Sequence, residues 1–299
     1  MNPPPLELTV RVGCHLVWQC SAPVAMTLAL RPRGGPHQLV LQERLTFNPH
    51  LASLSFEDML GNGVDRVIMQ PGDNVIHHDA LVLVPAAPDN FEPIGLAVPV
   101  YQLPGPLLRY TLPSRYCDSD KLLNFAWKTF GPLNDGAERV QAICDWVHNN
   151  IEYRFGSGNA ELSAADVIMR RYGVCRDFAH VAIALCRCFN IPARYVTGHL
   201  ADIGFADPGT PMDFHAYFEA FLGQHWSTFD ARFNVPRIGR IKIAHGLDAV
   251  DGAFSTIYGQ AQIKWFEVWA YQVSPAEVTL DDPIDLSRRL DGTPYVRYR

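Results

Sequence analysis

Arg171-Tyr172-Gly173-Val174-Cys175-Arg176-Asp177-Phe178-Ala179-His180 is the stretch that decides how this chain reads. A glycine stands just ahead of a cysteine, and an apolar, helix-periodic run follows. Phe178, Val181, Ala182, Leu185 and Phe189 recur at spacings of three and four, which predicts a helix opening at Cys175 and burying one face. A thiol in the first turn lies beside unpaired backbone N–H groups and the positive end of the helix dipole. Both favour the thiolate, the nucleophilic form. The same position also suits a buried packing cysteine. Local sequence leaves both readings open.

Working outward, a nucleophilic cysteine needs a base, and the base needs a group to hold its ring. His215 begins the run His215–Leu222, Gly223-Gln224 forms a two-residue turn, and His225–Asp230 returns antiparallel. If Leu222 and His225 close this hairpin, Tyr217 faces Asp230, and His215 is the diagonal neighbour of Asp230 on the same face. Such neighbours lie about 7–8 Å apart, within reach of a His–carboxylate hydrogen bond. A one-residue slip would put them on opposite faces. Ala193–Leu200 is a further strand, and Trp265–Val273 reads as a fourth.

Ahead of Cys175 the period is helical. Leu122, Leu123, Ala126, Trp127 and Phe130 share one face, as do Val140, Ile143, Cys144 and Val147 within Ala137–Asn149. Ser163 with Asp166 reads as a capping arrangement for a short helix through Arg171. Helices first and strands afterwards predict an α+β domain, not alternating βαβ.

Residues Leu6–Val12, Ala25–Leu30, Gln38–Phe47, Val64–Met69 and Asp79–Val84 read as strands, separated by turn-forming Pro, Gly, Asn and Asp. They predict an antiparallel β-sandwich-like domain over residues 1–113. The proline-dense stretch Pro85–Pro113 reads as a crossing segment. A core over 114–285 and a solvated tail over 286–299, carrying Arg288, Arg289, Arg297 and Arg299, complete the division.

Gly173-Val174-Cys175-Arg176-Asp177-Phe178-Ala179-His180, Ile191–Val196, Asp213–Glu219 and Trp226–Asp230 together resemble the bacterial transglutaminase-like superfamily. Leu30-Arg31-Pro32, and Asp58 with Gly61-Asn62, resemble the β domain that precedes the core in bacterial members. The resemblance implies a papain-like core of helices packed on an antiparallel sheet. It also implies Cys175 as nucleophile, His215 as general base and acid, and Asp230 as the orienting carboxylate. After that aspartate the common family pattern is Pro-Thr, whereas Ala231-Arg232 stand here. The implied chemistry is attack on an amide or ester carbonyl through a Cys175 thioester. Water would then release an acid, and an amine would release a new amide.

Other polar residues read as structural. His180, five positions beyond Cys175, points away from it on a helix. Asp177 is a first-turn acid whose charge works slightly against a thiolate. Cys186 and Cys188 are splayed apart on a helix and make a poor metal site. His77-His78 shows no partner in sequence. Asp213 reads as a rim carboxylate, Tyr153 and Trp146 as core, and His199, His225 and Glu219 as solvated β-surface residues. Cys14, Cys20, Cys117 and Cys144 read as packing residues.

The chain has 299 residues, 48% hydrophobic and 19% charged, with a net charge of −6. No basic stripe points to nucleic acid, and no apolar run approaches the roughly 18 residues of a membrane span. Seven cysteines without a regular spacing, and an N-terminus without a basic region followed by an apolar one, read as free thiols in a cytoplasmic protein. The expected activity is cysteine-dependent hydrolysis of a peptide, isopeptide or related amide, needing no metal or organic cofactor. The expected partner is a peptide or protein amide substrate. The alternatives are acyl transfer to an amine, or a non-catalytic binding protein on the same fold.

Overall fold

The computed structural model describes residues 4–89, 94–206 and 208–287. The tail arginines Arg288, Arg289, Arg297 and Arg299 lie outside the described residues. Six strands come first: β1 (Leu6–Cys20), β2 (Val24–Leu28), β3 (Leu39–Asn48), β4 (Ser53–Glu57), β5 (Gly63–Met69) and β6 (Gly72–Pro85). Helices α1 (Ser119–Phe130) and α2 (Ala137–Asn150) follow the crossing segment. A parallel pair, β7 (Glu152–Tyr153) and β8 (Tyr172–Gly173), then flanks α3 (Ala164–Arg170). Next come α4 (Cys175–Arg187), β9 (Ala193–Leu200), β10 (His215–Leu222), β11 (His225–Phe229), β12 (Arg240–Gly246), β13 (Ser255–Tyr258) and β14 (Ala261–Gln272). The α+β class read from the sequence is the one observed.

Two four-stranded antiparallel sheets, ordered β14-β1-β6-β3 and β13-β2-β5-β4, form the sandwich. A third, β11-β10-β9-β12, carries the helices. One face of β1 is spent on two neighbours. Cys14, Leu16, Trp18 and Cys20 share a core with Met26 and Leu28 of β2 and with Val67 and Met69 of β5. Leu8, Val10 and Val12, on the same face by the period of two, pack instead with Ala201 and with Ile241 of β12. The long first strand therefore holds the sandwich against the helical half.

Trp265–Val273 is not a strand of the helical half. It falls largely within β14, which pairs antiparallel with β1. The reason is a local fit: Trp269 lies opposite Gly13, where a Cβ would come within 2.4 Å of the indole ring. The indole N–H donates to Asp79 (3.1 Å), which also grips buried Arg11 (2.7 Å). The fourth strand of the core sheet is β12, and with it comes Arg240. Because β13 and β14 return to the sandwich, residues 114–285 are not one contiguous unit.

Of the motifs resembling a bacterial β domain, Asp58 with Asn62 makes that same junction, whereas Arg31 stays within the sandwich on Asp65 (2.8 Å) and Glu43 (2.7 Å). Asp58 accepts from the Asn62 side chain (2.9 Å). Asn62 in turn bonds both the carbonyl and the N–H of His245 on β12 (2.9 and 3.0 Å). Arg33 reaches the Asn62 amide oxygen at 2.6 Å. His78 is not unpartnered: it is buried and bonds Glu43 across the β3–β6 pair (3.0 Å). Such a cross-strand partner, 35 residues away, leaves no local trace in the sequence.

Candidate active site

Helix α4 is buried at every position from Asp177 to Arg187, walled by α1, α2 and α3 and by one face of the core sheet. Ala216, Phe218, Ala220 and Leu222 of β10 supply that face. Val174 caps the helix without a polar side chain, and its N–H is met by the Asp177 carboxylate (3.0 Å). Gly173 is required here, since a Cβ would come within 2.7 Å of the Asp177 side chain. Asp177 is thus a structural acid. His180 is structural too: its Nε2 accepts the Ala249 N–H (3.1 Å), and burial pushes its pKa down to about 3.

The first residue of α4 is Cys175, half-buried. Its thiol lies 3.9 Å from the Phe214 carbonyl oxygen and takes a backbone hydrogen bond from Ala216. These two residues flank His215, so the sulfur is seated against the start of β10.

The β10–β11 hairpin has the register expected, Leu222 opposite His225 through Phe218 opposite Phe229. It brings His215 Nε2 within 2.7 Å of the Asp230 carboxylate, with both side chains buried. Asp230 is held on three further sides. Arg240 of β12 donates to the same oxygen (2.9 Å), and the N–H groups of Arg232 (3.0 Å) and Phe233 (3.3 Å) bond the other. Arg240 is itself braced by Asp89 from the crossing segment (2.7 Å) and lies over the Tyr217 ring at 4.6 Å.

These contacts fix the charges. Burial alone would raise the Asp230 carboxyl, but His215 and Arg240 outweigh it and hold Asp230 far below the usual carboxylate range. Burial draws the His215 pKa down, and Asp230 offsets only part of that. With Asp230 ionised, Nε2 of a neutral ring carries the proton that bonds it, which leaves the Nδ1 lone pair as the acceptor. The Cys175 thiol is pushed up to about 11, first by burial and then by Asp213. Burial therefore works against the thiolate that the helix start favours. Asp213 lines the cleft and bears no bond to His215; more than a third of its surface is exposed. Burial would carry its carboxyl up to about 6, but water at that exposure screens the effect.

Two sequence readings of the surrounding β surface are corrected. Glu219 is buried, bonded to Arg194 (2.6 Å) and to Lys242, and held down to about 2 against its burial by those two cations. His199 is also buried, with neither ring nitrogen bonded among the described residues. Sequence reasoning missed Arg240 and Asp89. The alternation Arg240-Ile241-Lys242-Ile243 was the available signal for β12. Asp89, among prolines, gave none.

Among the described residues, no group of three or more His, Cys, Asp and Glu is placed to hold a metal ion. None of their helices is long and apolar enough to cross a membrane.

The sequence profile of the Transglutaminase-like superfamily matches residues 124–231, from within α1 to just past Asp230. A crystal structure from Cytophaga hutchinsonii, provisionally described as a cysteine protease, superposes with a TM-score of 0.81 at 35% identity. It covers 89% of this chain and 91% of that one. An uncharacterized protein of Mycobacterium tuberculosis (strain ATCC 25618 / H37Rv) is 30% identical over 183 residues, 58% of this chain and 58% of its own length. An uncharacterized protein of Mycobacterium leprae (strain TN) is 27% identical over 117 residues, 38% of this chain and 42% of its own. The chain thus spans about half the length of the curated relatives it matches. The profile covers the helices and the hairpin that carry Cys175, His215 and Asp230, and the Cytophaga likeness runs through the sandwich as well: the chain belongs to the transglutaminase-like superfamily.

Proposed function

We propose that the protein is a cysteine-dependent amidohydrolase that cleaves peptide, isopeptide or related amide bonds, with Cys175, His215 and Asp230 as its catalytic triad. The observation that carries this reading is the buried 2.7 Å bond from His215 Nε2 to Asp230, beside a thiol seated on the backbone either side of His215. Superfamily membership and the Cytophaga likeness support a cysteine-dependent activity in general.

The chemistry follows from the charge states. Nδ1 of neutral His215 takes the thiol proton as Cys175 Sγ attacks the carbonyl carbon. The Cys175 N–H, in the helix's first turn, is available to stabilise the oxyanion. The C–N bond then breaks, and the His215 proton leaves with the amine. Water, deprotonated by His215, attacks the Cys175 thioester and releases the acid and the free thiol. Asp230 keeps the imidazole in the tautomer that accepts from sulfur. An amine in place of water would give acyl transfer from the same thioester.

The test is a peptide library with and without an added primary amine, read by mass spectrometry. Hydrolysis predicts released acids in both, lost on Cys175→Ala. Incorporation of the amine as the main product would make the protein a transferase. Unchanged cleavage by Cys175→Ala would end the proposal.

A further inference from the structure

Arg232 stands where the family's Pro-Thr gives way to Ala231-Arg232, and its surroundings are unlike those of the other arginines near the site. Its N–H bonds Asp230 and its carbonyl accepts from His148 Nδ1 (2.8 Å), so its backbone is pinned beside the triad. Its guanidinium carbon lies 3.5 Å from the centre of the Tyr153 ring and 4.5 Å from that of Phe233. Arg194, Arg237 and Arg240 all end on carboxylates. Among the described residues, the Arg232 guanidinium makes no hydrogen bond or ion pair; it lies over these two rings, with the Asp213 carboxylate within electrostatic reach.

A guanidinium held over an aromatic ring, with no hydrogen-bond partner of its own, keeps its N–H donors for a ligand, and their fork matches a carboxylate. Arg232, Tyr153, His215 and Asp213 line one narrow cleft of about 30 Å³, room for about two water-sized groups and hence for a carboxylate. Asp213, on the same cleft, lies within electrostatic reach of Arg232 without bonding it, and Asp202, also on the cleft, is paired with Arg237 (2.9 Å), so among the described residues the N–H donors of Arg232 stay unpaired beside the triad.

We propose that Arg232 is a specificity-determining residue that receives a carboxylate of the substrate close to the scissile amide, so that the preferred substrates are acidic peptides or peptides cut near a free carboxyl end. This deepens the hydrolase reading and rests on Cys175 being its reactive thiol.

Three alkylating reagents test it: neutral N-iodoacetylglycinamide, N-iodoacetylglycine with a terminal carboxylate, and N-iodoacetyl-aspartic acid α-amide with a side-chain carboxylate. Rates at Cys175 are followed by peptide mapping and normalised to free cysteine. The wild-type protein should favour at least one anionic reagent about tenfold, the scale of a charge-assisted hydrogen bond. Arg232→Met should bring that preference close to one, and Arg232→Lys should keep part of it. Preference for the glycine reagent assigns a chain end, and preference for the aspartyl reagent an acidic side chain. No anionic preference in the wild type, or one that survives in Arg232→Met, overturns the proposal alone. Labelling of Cys175 by none of the reagents overturns the reactive-thiol reading and this proposal with it.

Discussion

Asp230→Ala should lower stability by about 3–5 kcal/mol, because it leaves the buried Arg240 guanidinium and His215 ring facing a missing charge. In the fraction that folds, turnover should fall by about 10⁴, since nothing then holds His215 in the tautomer that accepts from sulfur. Asp230→Asn separates the two effects. It keeps the shape and an oxygen for one of the two pairs of hydrogen bonds, so the fold should survive better while the activity loss remains. The pH dependence has a definite sign. The Asp230 pKa is depressed in the folded chain, so its stabilisation is complete above the ordinary carboxylate pKa of about 4. It is lost as pH falls from there toward the folded value. Denaturant melts at pH 7 and pH 3 should differ less for Asp230→Asn than for the wild type. A wild-type-like melt and turnover for Asp230→Ala would remove it from the site.

The second large effect concerns the resting state of the thiol. With Cys175 pushed up to about 11 and His215 drawn below its ordinary pKa, the ligand-free site holds a thiol beside a neutral imidazole. Alkylation of Cys175 by iodoacetamide should therefore keep rising from pH 7 past pH 9, tracking the small thiolate fraction. A preformed thiolate–imidazolium pair would instead react at a plateau extending well into acid. His215→Ala should leave the rising alkylation profile in place yet cost about 10⁴ or more in amide turnover. The base is needed at the moment of attack and not to ionise the sulfur beforehand. An acid plateau in the wild type that vanishes in His215→Ala would establish the ion pair instead.

What could be read in advance divides along the range of the interactions. The hairpin register was legible because Gly223-Gln224 fixes it locally, and register alone decides that His215 and Asp230 share a face. The α4 start was legible from Gly173 and the three-and-four spacing after Cys175. Long-range pairings left no comparable mark. Trp265–Val273 has strand composition, but only the slot over Gly13 and the Asp79 acceptor assign most of it to the sandwich. Arg240 meets Asp230 and Asp89 through a strand edge that no local pattern announces. The thiol's surroundings are legible only in part: the helix dipole follows from the sequence, whereas burial, the larger influence on its pKa, depends on what packs over α4.

The central claim is that Cys175 carries the acyl group. The most direct measurement is intact-protein and peptide-level mass spectrometry after brief exposure to an activated ester, quenched in acid where thioesters persist. The account predicts one acyl adduct, on Cys175, that is discharged by hydroxylamine and absent from Cys175→Ala. An adduct on any other residue, or the same adduct in Cys175→Ala, would contradict it.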